Sequence, residues 1–278
     1  MTQGSIDDVI AGRATWCAEK RDGFALARLL GAGPVDHVIG APPYDEQTHE
    51  GMRTNKDGGE KSSIDFAAAP PVESFAMDLV RVARRWTLLF CTDAMLGDYK
   101  RAAGGSRSSG GAYVRGGIWH RTDSAPQITG DRPSAGCEAI AIMHALGGKM
   151  RWNRGGAQAF WDGPICRDPS RMHPTKKPRW LMEALIRDFT DPGDLIFDPT
   201  MGEGTTGEAA LALGRRFIGC EIADGIDPVT GKHDPKKDYF AAAVRRLERA
   251  DARPKQVMLL GTDPAPRMKQ AGLFGSGT

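Results

Sequence analysis

Apolar positions along this chain follow two periods. Short unbroken runs at Val35 to Gly40, Trp86 to Cys91, Leu195 to Phe197 and Arg216 to Glu221 read as strands buried on both faces. Elsewhere the spacing lengthens to that of a helix: Arg21 to Leu30, stopped by Gly31 to Pro34; Pro70 to Arg84, through Phe75, Leu79 and Val82; Trp180 to Phe189; and Tyr239 to Ala250, through Phe240, Val244 and Leu247. Asp93 to Arg101 adds a helix, and Ile118 to Arg121 and Glu138 to His144 add two strands, expected to be neighbours near one sheet edge. The alternation predicts an α/β fold.

Three stretches lack either period. Asp45 to Phe66 is long and polar, Ala102 to Gly117 is rich in Gly, Ser and Arg and is expected to be mobile, and Arg253 to Thr278 reads as a tail. The expected organisation is one domain over 1–252, with loops at 45–66, 102–135 and 149–172, and a tail over 253–278.

Composition narrows the class without naming a partner. A formal charge of +2 is too small to do so, but the segment from Lys149 to Arg179 carries eight Lys or Arg against Asp162 and Asp168, a face suited to a polyanion. Five scattered cysteines without a CxxC pair fit a reducing cytoplasm. Six scattered histidines suggest no metal site, and no apolar run reaches membrane-spanning length.

The candidate chemistry centres on Phe197-Asp198-Pro199-Thr200-Met201-Gly202-Glu203-Gly204-Thr205-Thr206-Gly207. A strand, a glycine turn and a helix in succession let backbone approach a ligand and present unpaired N–H groups to it. Glu221, closing the next strand, stands where an acid could hold ribose hydroxyls. The glycine spacing also fits a nicotinamide-dependent oxidoreductase. Against that, the turn comes late in the chain and leaves little room for a following catalytic domain. Ala41-Pro42-Pro43-Tyr44 ends a strand, where open α/β sheets bind ligands, and His173-Pro174-Thr175-Lys176-Lys177-Pro178 precedes a helix.

Together these three segments resemble the amino-methyltransferases of DNA, which carry a [D/N/S]PP[Y/F/W] tetrad, an HPTxKP-like segment and a DPxxGxGTT-like loop. Tetrad first and cofactor loop last is the order of the β-class, a circular permutation of the Rossmann-like methyltransferase fold, which implies a mixed sheet with helices on both faces. The resemblance implies S-adenosylmethionine as cofactor, held by Asp198, Pro199, Met201, Gly202, Gly204, Thr205 and Thr206. It implies that Glu221 binds the ribose and Asp22 the adenine, with His173, Thr175 and Lys177 beside the methionine moiety. It implies Ala41, Pro42, Pro43 and Tyr44 as the catalytic tetrad, acting on a base flipped out of double-stranded DNA. A homodimer is the common assembly of the β-class.

The departure from the pattern is Ala41, whose methyl group cannot accept a hydrogen bond where the family has Asp, Asn or Ser. The expected activity is N6-adenine methylation, weakened at this position, with N4-cytosine methylation and a non-catalytic DNA-binding regulator as alternatives. Site reading is expected from His49, Arg53, Arg107, Arg132, Arg151, Asn153 and Arg154, with Arg and Lys on phosphates and Arg, Asn or Gln on base edges.

Overall fold

A computed structural model describes residues 3–44, 70–127, 130–168, 172, 175–226 and 230–253. Its strands are β1 (Trp16–Glu19), β2 (His37–Gly40), β3 (Trp86–Cys91), β4 (Tyr113–Arg121), β5 (Cys137–His144), β6 (Phe160–Gly163), β7 (Leu195–Asp198) and β8 (Arg216–Cys220). Its helices among the described residues are α1 (Ile6–Ile10), α2 (Gly23–Leu29), α3 (Ala76–Val82), α4 (Leu96–Ala102), α5 (Arg179–Phe189), α6 (Thr205–Ala212) and α7 (Tyr239–Asp251).

The strands form one sheet in the order β1-β8-β7-β2-β3-β5-β4-β6. Pairing is parallel from β1 to β3, antiparallel for β3 with β5 and β5 with β4, and parallel again for β4 with β6. The mixed α/β sheet is therefore as expected. One rim gathers the carboxyl ends of β1, β8, β7, β2 and β3, together with the end of β4, the start of β5 and the end of β6.

Every residue of β2, β3 and β7 is buried, which is why their sequences run apolar instead of alternating. Successive side chains serve opposite faces. Val38, Leu89 and Phe197 meet α2, α3 and α4 through Phe24, Leu79 and Tyr99. Ile39, Leu88 and Ile196 meet α5, α6 and α7 through Leu185, Phe189, Ala210 and Leu247.

The stretch expected to be mobile, 102–117, is packed instead. Ala103 and Ala112 are buried, and β4 already begins at Tyr113. Its glycines permit close contact: a Cβ on Gly116 would lie 2.9 Å from Leu96 Cδ1, and one on Gly117 would lie 2.8 Å from Trp161 Cζ3. The sequence reading also missed β1, β6 and α1. The two strands are four-residue edges, and β6 alternates exposed and buried positions too briefly to show a period.

Candidate active site

The tetrad and the glycine turn leave neighbouring parallel strands at the same rim. β2 pairs with β7 through His37 to Ile196 and Val38 to Phe197, so Gly40-Ala41 emerges beside Asp198-Pro199. The approach is close: a Cβ on Gly40 would stand 3.0 Å from both Asp198 Oδ1 and Pro199 Cδ. The start of α2 closes the third side. Asp22 caps this helix by accepting a bond from Phe24 N at 2.8 Å, and a Cβ on Gly23 would lie 2.1 Å from the Pro199 carbonyl oxygen.

Within the turn, Gly202 (φ +52°) and Gly204 (φ +78°) occupy the left-handed region that favours glycine. Gly204 also abuts α7, where a Cβ would meet Ala243 Cα at 3.1 Å. Met201 N bonds Cys220 O at 2.9 Å, laying the turn across the end of β8. Glu221 accepts from the amides of Gly202 (2.8 Å), Ile222 and Ala223 (2.9 Å each). Burial raises its carboxyl above the usual range while those amides hold it down. A carboxylate offers about four acceptor positions, so one remains for a ligand hydroxyl.

Asp198 is 2% exposed, accepts from Thr200 N at 3.0 Å, and is bonded by the buried Thr206 side chain. Burial pushes it up to about 7 against those bonds. An aspartate raised from its unfolded value of 3.8 binds an extra proton in the folded state between the two values, so stability falls as pH climbs from about 4 to 7. Asp198→Asn is expected to flatten that fall and to stabilise the protein at pH 8 by on the order of a few kcal/mol. Denaturant melts at pH 5 and 8 check this.

Two neighbouring lysines with largely buried side chains join the two corners. Glu203 of the glycine turn, 4% exposed, accepts from Met172 N at 2.6 Å and pairs with Lys176 Nζ at 3.3 Å and Arg246 of α7 at 3.2 Å. The next residue, Lys177, turns to the tetrad, bonding the Tyr44 hydroxyl at 3.0 Å and the Glu138 carboxylate. Lys177 therefore lies against the tetrad tyrosine. Thr175 is exposed, and His173 lies outside the described residues. Glu138, Glu203, Gly23 and Gly40 were missed as site residues. The one available signal was a lone acid, Glu138, at the head of an apolar strand.

The residues expected to read DNA divide between the two rims. Arg107 bonds Gly148 O at 3.0 Å. Arg151 pairs with Asp191 at 3.1 Å, and its carbonyl accepts from Trp86 Nε1 at the amino end of β3. Asn153 bonds the carbonyls of Arg187 and Thr190 at 3.0 Å each, and Arg154 reaches Asp188 at 3.5 Å. These four sit at the opposite rim, Arg151, Asn153 and Arg154 tying down the carboxyl end of α5, so of the basic face expected over 149–179 the part at 151–154 does not adjoin the tetrad. Arg132, exposed and paired with Asp131, does lie in a loop at the tetrad's rim. Arg167 joins it there, clamped to Asp123 at 2.6 Å with 68% of its side chain exposed. His49 and Arg53 lie outside the described residues.

No His, Cys, Asp or Glu cluster fit to hold a metal occurs among the described residues, and no described helix is long and apolar enough to cross a membrane.

Known proteins share both this architecture and its sequence. The family model described as DNA methylase matches residues 147–228. The chain is 40% identical over 91 residues to the type II methyltransferase M2.DpnII of Streptococcus pneumoniae, covering 32% of this chain and 29% of that protein. It is 25% identical over 252 residues to M2.LlaDCHI of Lactococcus lactis subsp. cremoris, covering 82% and 87%. The solved M1.HpyAVI–SAM complex superposes with a TM-score of 0.57 at 22% identity, covering 84% of this chain and all of that one. The cytosine-N4-specific PvuII DNA methyltransferase gives 0.58 at 15%, covering 84% and 86%. The structural likeness carries the fold. Over the matched stretches the sequence is similar to that of DNA methylases and type II methyltransferases.

Proposed function

We propose that this protein transfers a methyl group from S-adenosylmethionine to N6 of adenine in double-stranded DNA, on a base flipped out of the helix, at a rate lowered by Ala41. The observation that carries the reading is the contact of Gly40 with Asp198 and Pro199, which sets the tetrad and the glycine turn on one rim within a single pocket's reach. The pocket also suits the donor: Thr200 Oγ1 is buried there without a hydrogen-bond partner, and α6 opens at the turn with its first amides. M1.HpyAVI, of like fold, is described in complex with SAM.

The cofactor would supply a methyl carried on a sulfonium, a leaving group that departs neutral. Asp22 and Glu221 would hold its adenine and ribose, and Asp198 with Thr205 and Thr206 would line its methionine end. An exocyclic amine is a poor nucleophile while its lone pair is spread into the base ring. The Pro42 carbonyl would accept one of its hydrogens, letting the nitrogen pyramidalise, while Tyr44 stacks on the base. Ala41 offers no second acceptor. Nitrogen gains the methyl and releases its proton to water.

Nucleoside mass spectrometry of DNA incubated with protein and S-adenosylmethionine should show N6-methyladenine. N4-methylcytosine instead would establish the second reading, which the fold shared with PvuII methyltransferase favours. The motif order supports the permuted β-class arrangement, and we extend the reading to one catalytic domain over 1–252, working as a homodimer, with sedimentation as its check.

DNA would meet the tetrad's rim. Arg132→Glu with Arg167→Glu is expected to weaken DNA binding and to lower the slope of log affinity against log salt by about 0.9 for each phosphate no longer neutralised. Arg151→Glu, on the far rim, should leave both unchanged. Filter-binding titrations over a salt series separate the two outcomes.

A further inference from the structure

Glu138 has no assigned role, yet it stands at the tetrad. Antiparallel pairing of β5 with β3 sets Ala139 opposite Cys91, so Glu138 enters at the carboxyl end of β3, on the rim where the tetrad emerges. Its side chain is 11% exposed and that of Lys177 is 10%. Glu138 Oε1 accepts from both the Tyr44 hydroxyl and Lys177 Nζ, and Lys177 also bonds the hydroxyl at 3.0 Å. The same ammonium lies 5.4 Å from the centre of the Tyr44 ring and 4.8 Å from that of Phe90. Burial, then the Glu138 charge, raises the phenol well above its usual value, so Tyr44 stays a donor.

Stability alone is a weak explanation for this cluster, because a buried ion pair is often matched or bettered by apolar side chains of similar volume. Its position indicates more. Residues 41–44 belong to no helix or strand, so no backbone ladder sets the direction of the Tyr44 ring. A ring bonded at its tip by a carboxylate and an ammonium, themselves joined, has the direction of its long axis fixed.

We propose that Glu138 and Lys177 are positioning residues of the base pocket, fixing the long axis of the Tyr44 ring by its hydroxyl where the ring meets the target base. The proposal rests on the methyltransferase reading. It adds β5 and Lys177 to the machinery of that reaction, acting through Tyr44 and not through the donor.

The test compares the full chain with Glu138→Gln, Tyr44→Phe and the double variant, each also in an Ala41→Asp background. Tritiated methyl transfer to bulk unmethylated DNA gives kcat, and calorimetry gives the affinity for S-adenosylmethionine. Each single change is expected to lower kcat, by up to about 100-fold for a misplaced reacting group. The double variant should be no slower than the slower single one, and donor affinity should stay within about twofold throughout. Full kcat in Glu138→Gln, reductions that multiply in the double variant, or a fall in donor affinity matching the fall in kcat would each overturn the proposal while leaving the methyltransferase reading intact. No transfer by the unaltered chain or by Ala41→Asp would overturn both. Should Glu138→Gln not fold, the apolar pair Glu138→Leu with Lys177→Met takes its place, and full kcat in that pair refutes the proposal.

Discussion

Replacing Ala41 with aspartate is expected to raise methyl transfer to DNA about 100- to 1,000-fold, the usual worth of one aimed polar contact in an active site. The new carboxylate would stand at the end of β2, on the strand next to the glycine turn, where the site holds a methyl group. It would accept the second amine hydrogen, and that contact strengthens as the nitrogen becomes a nucleophile, so the gain belongs in kcat. Donor affinity should not move, because the residues proposed to hold the donor, Glu221, Asp22 and the turn, are untouched. Single-turnover rates with and without the substitution, beside calorimetry, give both quantities. An unchanged rate would remove Ala41 as the weak point and favour a DNA-binding role without catalysis.

Gly23→Ala should have the largest effect in the opposite direction. The added methyl would lie 2.1 Å from the Pro199 carbonyl oxygen and 2.6 Å from its Cα, both backbone atoms held between β7 and the turn. Neither can swing aside as a flexible side-chain tip could. The expected loss of stability is at or above the upper end of ordinary overpacking, about 3 kcal/mol. Donor binding should fall with it, since relief of the clash moves either Asp22 or Pro199. A chain of normal melting temperature and full affinity would show that α2 is not the third wall.

Most of the fold was legible because buried parallel strands have no polar face to present, and the runs around Val38, Leu88, Ile196 and Phe217 could be little else. The edges were not, since β1 and β6 each bury too few residues to imprint a period on the sequence. Glycine misled at Gly116 and Gly117, where composition suggested mobility and packing against Leu96 and Trp161 is the reason for it. The glycine turn and the tetrad were legible because chain order alone places each at a strand end. Glu138 was not, because its nearness to Tyr44 arises only when β5 runs antiparallel beside β3. The far-rim position of residues 151–154 has the same origin. Arg151, Asn153 and Arg154 look free in sequence, and only the fold reveals the carbonyls and carboxylates around α5 that engage them.

Lys176 and Lys177 are chain neighbours that point to different corners, one to Glu203 and the other to Tyr44. On the proposed reading, a single peptide link would separate the anchor of the donor's turn from the anchor of the nucleobase's stacking partner. A rearrangement carried across that link would couple the two ligands. Thermodynamic reciprocity then requires that whatever factor the donor applies to base capture, the base returns to the donor.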